Sequence, residues 1–315
     1  MLWFLYNVLF VIGYVLMLPK FLLRMWRRGG YRRGFLQRFG WYPVELIARL
    51  QSRPRIWIHA VSVGEIYVAL RFIQEFRNRE PGIAFVLTTT TSTGHALAAK
   101  RLHADDELLY FPCDFPPVLK RVFAAVRPRA ILLVECELWP NMLRLADRRG
   151  IPVALVNGRI SDASYRGYRK LRLFAARILR RLPLLLVQTP TDAERLIALG
   201  AATDRVRVMG TAKYDVTDGA PRGGEQAARV LEACGAPADR LVLVAGSTWS
   251  GEEALLLDAY QQLRPAFPHL RLVLVPRHAE RRAEVEAEAA KRNLRWLRRS
   301  ELADAPPPSL SLIHI

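Results

Sequence analysis

The chain has 315 residues, of which 51% are hydrophobic and 24% are charged, and its formal net charge is +18. This balance excludes a disordered, collagen-like or coiled-coil protein, and the length suggests two domains. The excess of positive charge requires an anionic partner to be considered, whether nucleic acid, a membrane surface or a phosphorylated substrate. The three cysteines are far apart in the sequence, which disfavours a disulfide framework or a structural zinc site and favours a cytoplasmic compartment.

The first predicted element is an uncharged apolar run over residues 2–18. About 17 residues is the lower limit for a membrane span, so the run either crosses the bilayer or lies in one leaflet, and a buried core helix is the alternative. Arginines follow it where a signal peptide would have a small-residue cleavage site. By the positive-inside rule, we expect residues 1–40 to form a membrane anchor with a basic juxtamembrane segment, and the rest of the chain to be cytoplasmic.

From residue 55 onward, short apolar strands alternate with amphipathic helices, a pattern typical of βαβ units around a parallel sheet. The predicted strands are 56–60, 84–88, 108–111, 130–134, 153–157, 184–188 and 206–208. The predicted helices lie near 66–79, 94–102, 116–126, 138–149, 168–182 and 190–199. These elements predict one α/β doubly wound domain over residues 41–212.

A second domain is predicted over residues 213–309. Residues 213–240 contain no clear strand, and then strands at 241–245 and 270–275 alternate with helices near 252–264 and 279–293. Residues 310–315 read LSLIHI, the translation of a transposon end used to prepare sequencing libraries. We therefore expect residues 310–315 to be an adapter-derived tail, with a natural hydrophobic tail as the alternative. The second domain would then be incomplete, and its last strand, 270–275, would lie at an open edge of the sheet.

Standard signatures for nucleotide and metal binding are absent from the sequence. Gly246 and Gly251 have the spacing of a P-loop, but Glu252 and Glu253 stand where Lys and Ser or Thr would bind phosphate and magnesium. No G-x-G-x-x-G opens a helix, and no Asp-x-Asp or His cluster has metal-ligand spacing. We expect no metal and no cofactor, and phosphate contacts made by backbone amides and by Lys or Arg.

Two segments place carboxylates just after predicted strands, where doubly wound folds bind their ligands. Glu65 ends the sequence HAVSVGE, in which Gly64 would let a substrate approach the backbone, and capping of the helix is its alternative role. Glu135 and Glu137 follow the fourth strand. An unpaired carboxylate among apolar neighbours is costly, so we expect a substrate, an amide or a structural arginine to pair with at least one of them.

Seven motifs follow one another along the chain: HAVSVGE at 59–65, TTTTSTG at 88–94, ELWPN at 137–141, NGRIS at 157–161, GTAKYD at 210–215, AGSTWSGEE at 245–253 and VPRH at 275–278. Their order and rough spacing resemble those of the Kdo transferases, which add 3-deoxy-D-manno-octulosonic acid (Kdo) to the lipid A precursor. The chain thus resembles this family from its N-terminal anchor to about residue 300.

The resemblance implies a GT-B glycosyltransferase fold with two Rossmann-like domains. Residues 41–212 would bind the acceptor, and residues 213–309 would be part of the nucleotide-sugar domain. It also implies CMP-Kdo as donor, lipid IVA as acceptor, inversion at the anomeric carbon, no metal, and a place on the cytoplasmic face of the cell inner membrane.

The resemblance assigns roles residue by residue. Glu65 corresponds to the general base, and Glu135 and Lys213 correspond to groups that stabilise the transition state. A base must reach the attacking hydroxyl, a carboxylate stabilises an oxocarbenium-like carbon, and a lysine pairs with the single phosphate of the leaving CMP. Pro276, Arg277 and Ser247 correspond to residues of the binding site for the donor.

Three departures from the family pattern stand out. Gln37 replaces a glutamate and Trp249 replaces a histidine, and we expect no role for either position. The block Gly-Gly-His-Asn that closes around the nucleotide is missing from the 315 residues, so we expect the chain as it stands to be inactive.

The predicted basic helix near 166–181 has tyrosines, leucines and a phenylalanine on the side away from its arginines. A helix face made of arginines is usually just solvated. Because this chain also has an expected membrane anchor and a phosphorylated lipid as the implied acceptor, the alternative is that the arginines form a membrane-facing or phosphate-binding surface.

Two other classes of protein remain open. A non-hydrolysing sugar-nucleotide epimerase would share the fold but lack the apolar N-terminus. A basic membrane protein that binds nucleic acid would carry aromatic or glycine-rich elements among the arginines of a single binding module. The even alternation of strands and helices offers no such module, so we expect no nucleic-acid partner.

Overall fold

The structure is a computed structural model that describes residues 2–28, 34–135, 138–212, 228, 231–232, 241–298, 301 and 312–314. The chain divides into two compact units, Met1–Asp218 and Gly219–Ile315. The domain bounds expected from the sequence stay predictions, because the expected boundary at residue 213 opens a segment outside the described residues.

A seven-stranded parallel sheet forms the centre of the first unit. Its strands are β1 (Arg55–His59), β2 (Ala84–Thr89), β3 (Glu107–Tyr110), β4 (Pro128–Val134), β5 (Val153–Gly158), β6 (Leu184–Val187) and β7 (Val206–Val208). They lie in the order β3-β2-β1-β4-β5-β6-β7, and all neighbours are parallel. The winding reverses between β1 and β4, and ligands bind outside the carboxyl ends of strands at such a switch point.

Helices connect these strands and pack on the sheet. They are α1 (Leu2–Arg28), α2 (Val44–Gln51), α3 (Val63–Arg79), α4 (Ser92–Ala99), α5 (Pro116–Val126), α6 (Pro140–Arg148), α7 (Asp162–Lys170), α8 (Arg172–Leu179) and α9 (Pro190–Ala198), with 3-10 turns at Phe35–Phe39 and Thr203–Arg205. Proline opens α5, α6 and α9, where its missing N–H leaves no helical bond unmade. Both sheet faces are covered, because Trp57 and its neighbour Ile58 on β1 belong to two different hydrophobic clusters.

The strands and helices expected over residues 55–212 are confirmed in type and order, with one correction. The single helix expected near 168–182 is wrong, because α7 and α8 meet at a break at Leu171. The backbone of Leu171 (φ −114°, ψ 31°) leaves the helical region, and its N–H donates to the carbonyl of Tyr168. The break lets Tyr168 and Phe174 both pack against the core.

The second unit contains a four-stranded parallel sheet among its described residues. Its strands are β8 (Val242–Thr248), β9 (Arg271–Pro276), β10 (Trp296–Arg298) and β11 (Leu312–His314), in the order β10-β11-β9-β8, and its helices are α10 (Glu252–Leu263) and α11 (Arg282–Lys291) with a 3-10 turn at Ala279–Arg281. The open edge expected at residues 270–275 is wrong, because β9 pairs with β8 on one side and with β11 on the other. The adapter origin of residues 310–315 stays a prediction.

Helix α1 packs one face against the first unit. Trp3 makes an edge contact with Phe174, the Tyr6 hydroxyl donates to Asp114 (2.7 Å), and the Asn141 side-chain amide donates to Asn7 (2.7 Å). The opposite face is apolar and exposed, with Phe4, Leu5, Val8, Leu9, Ile12 and Leu16 among its residues. Within the part of the chain that the structure describes, no helix has the length and hydropathy needed to cross a membrane.

Candidate active site

Glu65 lies in the first turn of α3, just beyond the carboxyl end of β1. Its carboxylate accepts hydrogen bonds from the backbone N–H of Val61 (2.9 Å) and of Ser62 (3.2 Å), and the Ser62 hydroxyl accepts one from the Glu65 N–H (3.2 Å). This reciprocal pair is a capping box, the alternative role that the sequence left open. Glu65 is 7% exposed, and a carboxylate has about four acceptor positions, so two remain for a substrate hydroxyl.

The TTTTSTG motif fastens the loop after β2 to the loop that carries Glu65. The hydroxyls of Thr89 and Thr91 both donate to the Val61 carbonyl (3.3 and 3.0 Å), and the Thr91 hydroxyl also accepts from the Gly94 N–H. A Cβ at Gly94 would lie 2.8 Å and 2.9 Å from these two hydroxyl oxygens. Only glycine fits there, and the motif therefore fixes the backbone beneath Glu65.

Glu135 follows β4, the strand that pairs with β1. The structure thus places Glu65 and Glu135 after two adjacent strands at the switch point of the sheet. Glu135 has φ +62°, its N–H donates to the Val156 carbonyl (2.9 Å), and its Oε1 is screened from solvent. A non-glycine residue in this conformation is strained, and such strain concentrates at functional sites. Cys136 and Glu137 lie outside the described residues.

Asn157, which opens the NGRIS motif at the end of β5, holds the segment that leads to Lys213. Its side-chain oxygen accepts from the Ala212 N–H (3.0 Å), and its carbonyl accepts from the Gln188 side chain (3.0 Å). Lys213 itself lies outside the described residues, so its predicted role stays a prediction. The Asn157 side-chain N–H₂ group is fully buried and has no hydrogen-bond partner among the described residues, a feature that sequence analysis did not predict.

His59 of the HAVSVGE motif belongs to the core. Its Nδ1 lies 3.1 Å from the Thr88 carbonyl, and its ring stacks on Phe111 at 3.7 Å between centroids. Burial lowers the pKa of His59 to about 3, so the imidazole is neutral at physiological pH. Gln37 also makes a contact within the protein. Its side-chain oxygen accepts a hydrogen bond from the backbone N–H of Tyr110 (3.0 Å).

Sequence analysis missed a buried cluster around Asp114, after β3. The Asp114 carboxylate accepts from the backbone N–H groups of Asn141 (2.9 Å) and Met142 (2.8 Å) at the start of α6, and from the Tyr6 hydroxyl of α1. Burial raises the pKa of Asp114 to about 6. The available signal was an acidic residue in an apolar stretch directly after a strand, together with the polar Tyr6 and Asn7 inside the apolar N-terminal run.

In the second unit, the three residues expected to bind the donor come together at the carboxyl ends of β8 and β9. Thr248, next to Ser247, pairs in register with Pro276, and the Arg277 N–H donates to the Thr248 carbonyl (3.1 Å). Ser247 has φ +60°. The Arg277 guanidinium lies 5.2 Å from the centroid of the Trp249 ring, which is 52% exposed, so this departure from the family pattern contacts a candidate binding residue.

Glu253, which excluded a P-loop, has a structural role. Arg281 donates to both of its carboxylate oxygens (2.9 and 3.0 Å), and the Thr248 hydroxyl donates to one of them (2.8 Å). Burial acts to raise the pKa of Glu253, but the hydrogen bonds from Arg281 and Thr248 outweigh it and lower the pKa below its usual range. The pair fixes the loop after β8 against the turn that follows Arg277.

Within the described residues, no group of three or more His, Cys, Asp and Glu is arranged to hold a metal ion. The expectation that the protein needs no metal stays a prediction.

Solved structures share this fold. The UDP-GlcNAc 2-epimerase of Neisseria meningitidis bound to UDP-GlcNAc matches with a TM-score of 0.55 at 11% identity, over 83% of this chain and 71% of that chain. A glycosyltransferase from Rickettsia africae matches with a TM-score of 0.51 at 11% identity, over 84% of this chain and 68% of that one. The expected α/β GT-B class is confirmed; at this identity the likeness is one of fold alone.

The family described as "3-Deoxy-D-manno-octulosonic-acid transferase (kdotransferase)" matches residues 33–216. The 3-deoxy-D-manno-octulosonic acid transferase of Bordetella pertussis is 34% identical over 308 residues, which are 94% of this chain and 69% of that protein. The chain belongs to the Kdo transferase family, as the seven motifs predicted.

Two further relatives differ in how much of them the chain covers. The Haemophilus influenzae 3-deoxy-D-manno-octulosonic acid transferase is 29% identical over 86% of this chain and 62% of that protein. A bifunctional glycosyltransferase/methyltransferase of Fusobacterium nucleatum is 29% identical over 80% of this chain, which spans only 39% of that protein.

Proposed function

We propose that this protein transfers Kdo from CMP-Kdo to the lipid A precursor lipid IVA, with inversion at the anomeric carbon, in biosynthesis of the lipopolysaccharide inner core. One observation carries the proposal: the family match at residues 33–216 contains the two adjacent strand ends that present Glu65 and Glu135. Fold likeness alone would suit an epimerase equally well.

Glu65 acts in this proposal as the general base. The capping box holds its carboxylate in one orientation, and the two acceptor positions that remain can take the proton of the attacking acceptor hydroxyl. Glu135, after the neighbouring strand, stabilises the positive charge that develops on the donor carbon. Lys213 pairs with the phosphate of the departing CMP.

The donor nucleotide binds, in this proposal, where Ser247, Pro276 and Arg277 meet. Arg277 supplies a positive charge for the CMP phosphate at the carboxyl ends of two parallel strands, where α/β folds bind their ligands.

In this proposal the protein works at the cytoplasmic face of the inner membrane, which it contacts through the N-terminal helix and the basic helices α7 and α8. The exposed apolar face of α1 enters the interface between lipid headgroups and acyl chains, since its other face is docked on the first unit. Exposed basic side chains on α7, α8 and just beyond them meet anionic headgroups: Arg166, Arg169, Lys170, Arg172, Arg177 and Arg180.

The test is a transfer assay on the protein as its gene encodes it, supplied with CMP-Kdo and lipid IVA and followed by mass spectrometry of the lipid. We expect lipid that carries Kdo and release of CMP. The same preparation is offered UDP-GlcNAc, and epimerisation of that sugar without Kdo transfer would contradict the proposal.

A further inference from the structure

Two apolar cavities lie beneath α1, beside the carboxyl ends of the strands in the first unit. The first has a volume of about 310 Å³ and is lined by residues that include Tyr14, Phe111 and Cys113. The second has a volume of about 320 Å³ and is lined by residues that include Ile160 and Ala175. Phe10 and Trp139 line both, so the two cavities share a wall.

The size and lining of the cavities suit alkyl chains. An apolar protein cavity of roughly 150 Å³ stays dry and binds benzene, and each of these has about twice that volume. The charged groups at the wall of the first cavity already have protein partners: Arg38 donates to the Thr90 carbonyl (2.7 Å), and Asp114 accepts from Tyr6. An ionic ligand in this cavity would therefore have to compete with the protein's own hydrogen bonds to Arg38 and Asp114.

One polar group at the shared wall is unused. The indole N–H of Trp139 is buried and has no hydrogen-bond partner among the described residues. Indole N–H is a donor only, so the group that completes this site must be an acceptor. An ester or amide carbonyl at the head of an acyl chain is such an acceptor, with an alkyl chain attached.

The cavities reach the protein surface where a lipid would arrive. Met17 lines the first cavity and Leu171 lines the second, and both side chains are 62% exposed. Met17 belongs to α1, and Leu171 lies between the basic helices α7 and α8, which carry the charge to attract a phosphorylated lipid.

We propose that these two cavities hold acyl chains of the acceptor lipid and that the Trp139 N–H donates to a carbonyl at the head of one chain. The acceptor is then recognised by its chains as well as by its sugar. This inference rests on the proposed function, because it names the part of the proposed acceptor that this region binds.

The first test measures binding without catalysis. The methyl ester of a dansyl-labelled undecanoic acid, which is uncharged at its ester head, should bind the whole protein saturably, with a rise in dansyl emission. Ala175→Phe fills the second cavity and Trp139→Phe removes the unused donor, and we expect each to weaken probe binding by about tenfold. Ala99→Phe, at an exposed position of α4, is the control for an added phenyl ring and should bind the probe like the wild type.

Competition identifies the natural occupant. Lipid IVA should displace the probe at far lower concentration than phosphatidylglycerol in the same detergent. Equal displacement by phosphatidylglycerol would overturn the assignment to the acceptor in favour of ambient membrane lipid. Probe binding that both Ala175→Phe and Trp139→Phe leave unchanged, with circular dichroism showing a folded protein, would overturn the assignment of the cavities.

The second test uses transfer kinetics with lipid IVA and with lipid IVA whose ester-linked and amide-linked chains have both been removed by strong alkali. The wild type should show a KM about tenfold higher for the trimmed acceptor, with kcat little changed. Trp139→Phe should raise KM for the intact acceptor and leave KM for the trimmed one unchanged. Equal wild-type KM values for the two acceptors would overturn the inference, whereas absence of transfer to either would overturn the proposed function and leave the probe measurement to decide on the cavities.

Discussion

At the scale of single residues, Asp114 is the buried carboxyl that links α1 to the start of α6, because it accepts hydrogen bonds from the Tyr6 hydroxyl and from the N–H groups of Asn141 and Met142. Its pKa is about 6 in the folded chain because of burial, against 3.8 for the free carboxyl. The folded chain therefore keeps this proton to a higher pH than the unfolded chain, and the stabilising contribution of Asp114 falls as the pH rises from about 4 to about 6. At ~1.4 kcal/mol per pKa unit the change amounts to about 3 kcal/mol.

We predict that the free energy of unfolding of the wild type, relative to that of Asp114→Asn, falls by about 3 kcal/mol between about pH 4 and about pH 7, because the buried Asp114 carboxyl loses its proton in this range and asparagine has none to lose. Urea denaturation at the two pH values measures both free energies. Asp204→Asn, at an exposed position, is the control. A wild-type value that stays constant or rises with pH relative to that of Asp114→Asn would contradict the effect assigned to burial.

Gly94 is the residue whose replacement tests the scaffold beneath Glu65. We predict that Gly94→Ala lowers the free energy of unfolding by about 1–3 kcal/mol, because the added methyl would lie within 3 Å of the Thr89 and Thr91 hydroxyls, whose hydrogen bonds hold the Val61 carbonyl. Gly82→Ala is the matched control, since a Cβ there meets no atom within 4 Å. If thermal or urea denaturation shows equal effects for the two variants, the close packing of the TTTTSTG motif is wrong.

At the scale of elements, α1 and the basic pair α7 and α8 define the surface that would meet the membrane. We predict that removal of residues 1–22 releases the protein from anionic vesicles only in part, because each exposed basic residue near the surface contributes on the order of 1 kcal/mol at low salt. Retention should fall as salt rises, owing to screening.

Charge reversal at chosen positions distinguishes a specific role of α7 and α8 in membrane binding from an effect of the overall positive charge of the protein. In the protein without residues 1–22, Arg166→Glu with Arg169→Glu should abolish the remaining retention on anionic vesicles, as measured by co-sedimentation. Arg264→Glu with Arg282→Glu in the second unit carries the same change of charge and should leave most of it. Loss of retention in both pairs alike would contradict a membrane role for α7 and α8.

The strands were predictable from the sequence because short apolar runs that alternate with amphipathic helices are typical of the buried strands of a parallel sheet. The break at Leu171 was not, because it depends on where Tyr168 and Phe174 find room in the core. The pairing of Leu312–His314 beside β9 is equally non-local, since its partners lie tens of residues away in sequence.

The candidate site was predictable in part for the same reason. Glu65 and Glu135 come from motif and position after a strand, and the structure brings them to neighbouring strands. The Asp114 cluster, the buried N–H of Asn157 and the unused N–H of Trp139 arise from contacts between segments that are distant in sequence, which no local pattern encodes.

At the scale of the whole molecule, a GT-B fold and membership of the Kdo transferase family set the expected chemistry, in which we propose that the carboxylate of Glu65 acts as the general base. The most direct measurement compares kcat for Kdo transfer in Glu65→Gln with kcat in Glu75→Gln, which alters a more exposed glutamate on the same helix. Glutamine keeps an oxygen for the capping box but cannot take a proton, so kcat should fall by at least about a hundredfold in Glu65→Gln, with CMP-Kdo affinity little changed. A Glu65→Gln protein that transfers Kdo at the rate of Glu75→Gln would contradict the account.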